Sequence, residues 1–240
     1  MRKPTILALL LLLGVAPPAV ADGASLQVSP VRLELAPGQA ATKIVLGNTG
    51  SDVVAAQVRV MRWVQEDGKD QLLPTRDVVA SPPLIELSPG KQNVVRIVRT
   101  NKAETSGEEA YRLLVDQLPP PAGSPGNVLN FRVRYSIPVF FRCKTSSAPQ
   151  LDWQVETSKQ RTVLEVANAG GSYLRLSRLA IRAPNGKSAE LAPGLAGYVL
   201  AGSRVRLEFR GGLGGLKPGQ TVAVMADGNE NPIKAQAEVR

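Results

Sequence analysis

The sequence predicts an all-β protein made of two sandwich domains, and three observations lead to that reading. Turn signals recur, with Leu-x-Pro-Gly at 35–38, 87–90, 191–194 and 216–219. In each, proline presets one turn dihedral and glycine supplies a left-handed position. Short runs of alternating apolar and polar residues lie between them, at 44–46, 56–60, 94–98, 111–115, 163–166 and 205–209, the pattern of half-buried strands. Amphipathic helical windows are almost absent. Many short strands at regular spacing point to β-sandwiches.

The first element is no strand. Met1-Arg-Lys3 is basic, Ile6 to Val15 is apolar, and Ala19-Val-Ala21 is a small-x-small cleavage site. Residues 1–21 therefore read as a secretory signal peptide, with an apolar run too short to span a bilayer. No later stretch is long and apolar enough to cross one, so a soluble, exported chain without membrane insertion is expected. Two sequence-similar strand ends follow, Val45-Leu-Gly-Asn-Thr-Gly50 and Val166-Ala-Asn-Ala-Gly170. Each places an Asn-small-Gly turn after a strand near the start of a sandwich, which suggests two copies. The polar stretch Lys144-Thr-Ser-Ser-Ala-Pro149 marks the break. The mature chain divides into 22–143 and 144–240, each near the size of an immunoglobulin-like domain.

Composition excludes several chemistries. The chain has no histidine and one cysteine, Cys143. Histidine triads, histidine general bases and intramolecular disulfides are ruled out, a structural zinc site has no ligand set, and no cofactor or metal is expected. Cys143 reads as a small apolar residue rather than a nucleophile. The formal charge of +9, two less once Arg2 and Lys3 leave with the signal, is spread along strands without a tight cluster. It reads as solubility, and export argues against nucleic acid as a partner.

One strand stands out. From Leu129 to Phe141 the apolar residues Leu129, Phe131, Val133, Tyr135, Ile137, Val139 and Phe141 share one face, opposite Asn130, Arg132, Arg134 and Ser136. A core strand shows the same alternation. Two details favour more: the Pro/Gly-rich run 119–126 precedes it, and bulky Leu129, Phe131 and Val133 lie beside that run. An apolar row that projects past its own core invites a partner. Trp63, Trp153, Tyr198 and Phe209 lie in strand-like runs and read as core, and Ser81-Pro82-Pro83 reads as a rigid bend.

An ordered set of motifs runs along the chain: Val28-Ser-Pro-Val-Arg32, Asn48-Thr-Gly50, Ser81-Pro-Pro83, Leu87-Ser-Pro-Gly90 with Arg96-Ile-Val98, and Tyr111-Arg-Leu-Leu-Val-Asp-Gln-Leu-Pro119 before the long strand. In this order and spacing the chain resembles a periplasmic pilus-assembly chaperone of the chaperone–usher pathway, the PapD-like family. Tyr111 to Pro119, Arg134-Tyr-Ser-Ile-Pro-Val-Phe140 and Gly197-Tyr-Val-Leu200 are most similar to the archaic, Csu-type branch.

The resemblance implies two immunoglobulin-like sandwiches in a boomerang arrangement, periplasmic and not an enzyme. It implies pilus subunits lacking a final strand as partners, held by a lent G1 strand whose donor residues here are Leu129, Phe131 and Val133. Delivery to an outer-membrane usher follows from it, while capping of the free strand by homodimerisation stays open. Two basic anchors for the subunit's C-terminal carboxylate are implied. The first maps to Arg32; the second maps to uncharged Pro138, a departure for which Arg134 is the first substitute and Arg112 the second. A buried interdomain charge network maps to Arg142 and Asp227, with Asp116 or the Gln117 amide in place of the first-domain acid.

Two other classes compete. A secreted immunoglobulin-like binding or adhesin module would share the fold, but it does not account for the donor row or Arg32. A glycosidase needs paired carboxylates, and the acids here are few and dispersed.

Overall fold

The computed structural model describes residues 26–101, 107–119, 132–229 and 231–240. The signal peptide and the donor residues Leu129 and Phe131 lie outside the described residues. All regular structure among the described residues is strand. Strands β1 (Leu26–Ser29), β3 (Ala41–Asn48), β8 (Gln92–Arg99) and β6 (Val78–Ser81) form a sheet in the order β1-β3-β8-β6. The facing sheet runs β2 (Leu33–Leu35), β10 (Arg134–Phe141), β9 (Glu109–Gln117), β4 (Val54–Glu66) and β5 (Lys69–Pro74), with β7 (Leu84–Leu87) also on β4.

Period-2 alternation builds the core between these sheets. Ile44 and Leu46, Val95 and Ile97, Val58 and Val60, Leu113 and Val115, and Ile137 and Val139 all point inward and are buried. Each such side chain contributes about 1.5–3 kcal/mol when fully removed from water. The chain enters this sandwich on one sheet and changes to the other. β1 pairs antiparallel with β3, and beyond Pro30 β2 pairs parallel with β10, which sets Arg32 at the start of β2. Peptide bonds Ser29–Pro30 and Ser81–Pro82 are cis.

The second sandwich closes from one continuous sheet. Its order is β14 (Ser188–Val199), β13 (Leu174–Arg182), β16 (Thr221–Asp227), β17 (Pro232–Val239), β11 (Leu151–Thr157), β12 (Arg161–Asn168) and β15 (Arg204–Arg210). The two ends of that order, β14 and β15, come into contact. A Cβ on Gly197 would lie 3.1 Å from the Leu207 side chain, so glycine permits the close approach. Trp153, Leu164, Leu176, Leu179, Ile181 and Val224 fill the interior.

The repeated Asn turns are one device used twice. Asn48 and Asn168 are each 2% exposed. The side-chain oxygen accepts the N–H of Gly50 in one copy and of Gly170 in the other, at 2.9 Å in both. The side-chain amide donates to the carbonyls of Asp52 and Leu87 from Asn48, and to those of Ser172 and Leu200 from Asn168. Each asparagine thus satisfies backbone groups that a tight buried turn would otherwise strand.

The four Leu-x-Pro-Gly signals do not share one fate. Gly38, Gly90 and Gly219 take positive φ of 84°, 71° and 83° in turns. The fourth lies inside β14. There the register shifts, so that Ser177 faces Leu195 and Leu179 faces Ala192. Pro193 and Gly194 oppose the single residue Arg178, a β-bulge that accommodates a proline without an N–H.

The sandwiches meet over an aromatic cluster. Trp63, Ala110 and Phe140 of the first pack with Tyr173, Tyr198 and Leu200 of the second. Phe140 and Tyr173 stack with centroids 3.6 Å apart, and Trp63 meets Tyr198 edge-on at 5.3 Å. Trp63 and Tyr198 therefore belong to the junction rather than to either domain core, a correction to the sequence expectation, whereas Trp153 is core.

Candidate functional site

Cross-strand register places the arginines. Pro138 pairs with Arg112 across β10 and β9, and Val139 pairs with Leu33 across β10 and β2. One residue before β2, Arg32 continues the same row, giving Arg32–Pro138–Arg112. Residues in one row share a face. Here it is the outer face, since Val139, Leu33 and Tyr111 in the next row all point into the core. Neighbouring strands lie about 4.8 Å apart, so two strands separate the arginine backbones by about 10 Å. The uncharged Pro138 is thus flanked on both sides by arginine, and Arg112 stands directly beside the position the resemblance assigned to the second anchor.

Arg112 occupies an unusual setting. Its guanidinium carbon lies 3.7 Å from the Trp63 ring centroid and 5.1 Å from that of Tyr198. Its Nη1 donates to the Ser136 carbonyl at 3.4 Å. Burial pulls its pKa down, and Tyr198 and Asp70 act against that. Among the described residues it forms no ion pair. A half-buried cation without an anion is costly, and an incoming carboxylate would relieve that cost.

Arg32 is held from the side. Its Nε lies 3.1 Å from Glu34 Oε1. The same oxygen accepts the Tyr173 hydroxyl at 2.6 Å from the second sandwich. Burial and then the bond to Glu34 push the Tyr173 pKa up, so the phenol remains a donor. The Tyr173 N–H donates to Glu108 Oε1 at 2.8 Å. Burial pushes the Glu108 carboxyl up to about 7, against the pull of the Tyr173 N–H and Arg142, with Glu34 adding to the rise.

Arg134 is engaged elsewhere. It pairs with Asp116, which also meets Arg59 at 2.7 Å. Burial would raise the Asp116 pKa, but hydrogen bonds and charge from Arg59 and Arg134 hold it below its ordinary value.

Among the described residues the expected interdomain charge network is not assembled. Asp116 belongs to Arg134 and Arg59, and Asp227 pairs with Arg178, which follows Ser177, its cross-strand neighbour. Arg142 instead has Glu108 as the acid that feels its charge. The physical reason is reach: each acid finds an arginine on its own or an adjacent strand. The Gln117 side-chain oxygen is buried without a partner among the described residues.

Contacts between uncharged groups also tie the junction. The Gln65 amide donates to the Tyr198 carbonyl at 2.8 Å and accepts the Leu200 N–H at 2.9 Å. The β4–β5 turn, with Asp67 and Gly68 both at positive φ, docks on β15, where Arg206 N–H donates to the Gly68 carbonyl at 2.9 Å. The Asp67-Gly68 dipeptide is the sequence signal that marks this hairpin.

Among the described residues the edge beside the arginine row is open. β2 pairs with β10 only at Val139–Phe141, so from Arg134 to Pro138 the described residues put β9 on one side of β10 and no strand on the other. Val133 is half-buried, and its carbonyl accepts the Gln117 N–H. Tyr135 donates to the Leu26 carbonyl at 2.6 Å. Cys143 is half-buried and contacts the Thr145 hydroxyl at 3.3 Å. Among the described residues no group of His, Cys, Asp or Glu could hold a metal ion, and no helix is long and apolar enough to cross a membrane.

The model of the pili and flagellar-assembly chaperones, PapD N-terminal domain, matches residues 25–146. No curated protein matches the sequence. Among solved structures, the fold is similar to that in the CsuC–CsuE chaperone–tip adhesion subunit pre-assembly complex from archaic chaperone–usher Csu pili of Acinetobacter baumannii, with TM-score 0.66 and 23% identity over 90% of this chain and 98% of that one. It is similar to the SafB chaperone solved with the SafA pilin of Salmonella enterica, with TM-score 0.61 and 19% identity over 88% and 95%. It is also similar to the E. coli chaperone DraB, with TM-score 0.58 and 22% identity over 90% and 96%.

Proposed function

The chain belongs to the pili and flagellar-assembly chaperone family, and from that premise we propose how it captures its cargo. It binds pilus subunits that lack a final strand, along the open edge of β10. Leu129, Phe131 and Val133 are the donor side chains, Arg32 and Arg112 grip the subunit's C-terminal carboxylate, and Arg134 does not. The observation that carries this is the half-buried Arg112, without an ion-pair partner among the described residues, in one row with Arg32 at the end of an unpaired strand edge.

The physics fits the role. A strand added at that edge pairs with the backbone groups of β10, which is β-augmentation. If it runs parallel to β10, its last residue reaches the Arg32–Arg112 row as β2 begins, so the row fixes where the partner strand ends. A guanidinium binds a carboxylate through charge-assisted hydrogen bonds of about 1.5–3 kcal/mol each. Two of the similar solved structures are chaperone–subunit complexes, which supports subunits as cargo. Release to an outer-membrane usher in the periplasm completes the reading.

The test is co-expression with a pilus subunit encoded beside the chaperone. A one-to-one complex and protection of the subunit from proteolysis are expected from the wild type. Phe131→Asp should abolish both while the circular dichroism melt stays unchanged. Intact protection by that variant would remove Phe131 from the donor row.

A further inference from the structure

Resting on the carboxylate-anchor reading above, we infer that two tyrosines of the second sandwich, Tyr173 and Tyr198, position the two anchor arginines. Capture thereby depends on the sandwiches being docked.

Both contacts cross the junction and reach a different arginine. Tyr173 donates its hydroxyl to Glu34 Oε1 at 2.6 Å, and that same oxygen receives Arg32 Nε at 3.1 Å. With Nε turned to Glu34, the terminal nitrogens of the fork are left for a ligand. Tyr198 buttresses Trp63 edge-on at 5.3 Å, and the Arg112 guanidinium carbon sits 3.7 Å from the Trp63 centroid and 5.1 Å from that of Tyr198. Held between these two rings, the guanidinium has fewer positions to sample than a free side chain.

The tyrosines are themselves fixed. The Gln65 side chain brackets Tyr198 through its carbonyl and the N–H of Leu200. Tyr173 is stacked on Phe140 and tied by its N–H to Glu108. An arginine free to sample its rotamers pays an entropic cost on binding that one held in place largely avoids. The first sandwich supplies the charges, and the second supplies their direction.

A readout specific to the carboxylate separates positioning from general packing. The probe is a synthetic peptide of the final residues of a co-encoded pilus subunit, as free acid and as C-terminal amide, titrated onto the full mature chain. The wild type is expected to prefer the acid at least 10-fold. Tyr173→Phe keeps the stack on Phe140 and loses the hydroxyl; it should cut that preference 3- to 10-fold while amide affinity changes less than 2-fold. Tyr198→Leu should do the same, and Tyr198→Phe, which keeps the ring, should retain the wild-type preference. If the wild type prefers the acid and Tyr173→Phe and Tyr198→Leu prefer it equally, the positioning role is overturned and the anchor reading stands. If the wild type shows no preference, the anchor reading itself fails, and the positioning role with it.

Discussion

Two arginines lie on the β9–β10 ladder, Arg134 at its outer end and Arg112 midway along it, and the fold treats them in opposite ways. At the outer end Arg134 and Asp116 are cross-strand partners and neutralise each other, with Arg59 as a second cation on the same acid. Midway along, Arg112 lies by Trp63 and Tyr198 with no carboxylate in ion-pair range among the described residues, while Glu108, just before β9, is half-buried and holds the Tyr173 N–H. A carboxylate satisfied by two arginines is finished structure. A half-buried cation on an aromatic platform is an unmet demand for an anion, and it lies where the second sandwich can direct it.

The sharpest way to break this comparison is to remove each arginine in turn. Arg112→Ala should weaken subunit capture about 100-fold or more, because truncating one partner of a desolvated charge pair costs about 2–5 kcal/mol. The dissociation constant of the one-to-one complex checks it. Capture within about 3-fold of wild type would remove Arg112 from the site.

The two acids sharpen the contrast through pH. Glu108 is raised to about 7 by burial, so between its ordinary value and about pH 7 the folded chain holds a proton that the unfolded chain has lost. That contribution is complete at low pH and fades as pH rises through 7. The groups facing it are Glu34, Arg142 and Tyr173. Asp116 works the other way, since its lowered pKa gives a contribution present near neutrality and lost in acid. Chemical denaturation should therefore show Glu108→Gln flattening the loss of stability between pH 5 and pH 8. After allowance for the partial exposure of Glu108, that loss is about 1–2 kcal/mol. A pH dependence identical to wild type would refute the assignment.

The smallest effect belongs to the outer end. Arg134→Ala should leave capture within about 2-fold of wild type and lower stability by less than about 1 kcal/mol, because Arg134 itself is largely exposed and Arg59 stays on Asp116. A loss of capture as large as that of Arg112→Ala would reverse the comparison.

Much of this protein was legible in the chain itself. The strand runs at 44–46, 94–98, 111–115 and 205–209 all lie in strands, because alternation records which face is buried whatever the partner. The repeated Asn turns were readable because an Asx turn is a local hydrogen-bond device, and both asparagines make the same bond two residues on. Arg32 was readable as an anchor candidate from its place in an ordered motif. The choice between Arg112 and Arg134 was not, since both alternate onto the outer face. Only cross-strand register decides which one stands beside Pro138 and which one meets Asp116.

The same limit explains the other departures. Leu-x-Pro-Gly at 191–194 has the composition of a turn, yet pairing with β13 draws it into a bulged strand. Trp63 and Tyr198 alternate like core residues, and a sequence does not say whether the apolar face it buries is covered by its own domain or by the next one. Local chemistry therefore determined the strands, three of the four turns and the residue types available for binding an anion. Tertiary structure decided which arginine was left without an acid and which tyrosines direct it. Those depend on distances between strands far apart in sequence, and pairwise electrostatics follows distance rather than sequence order.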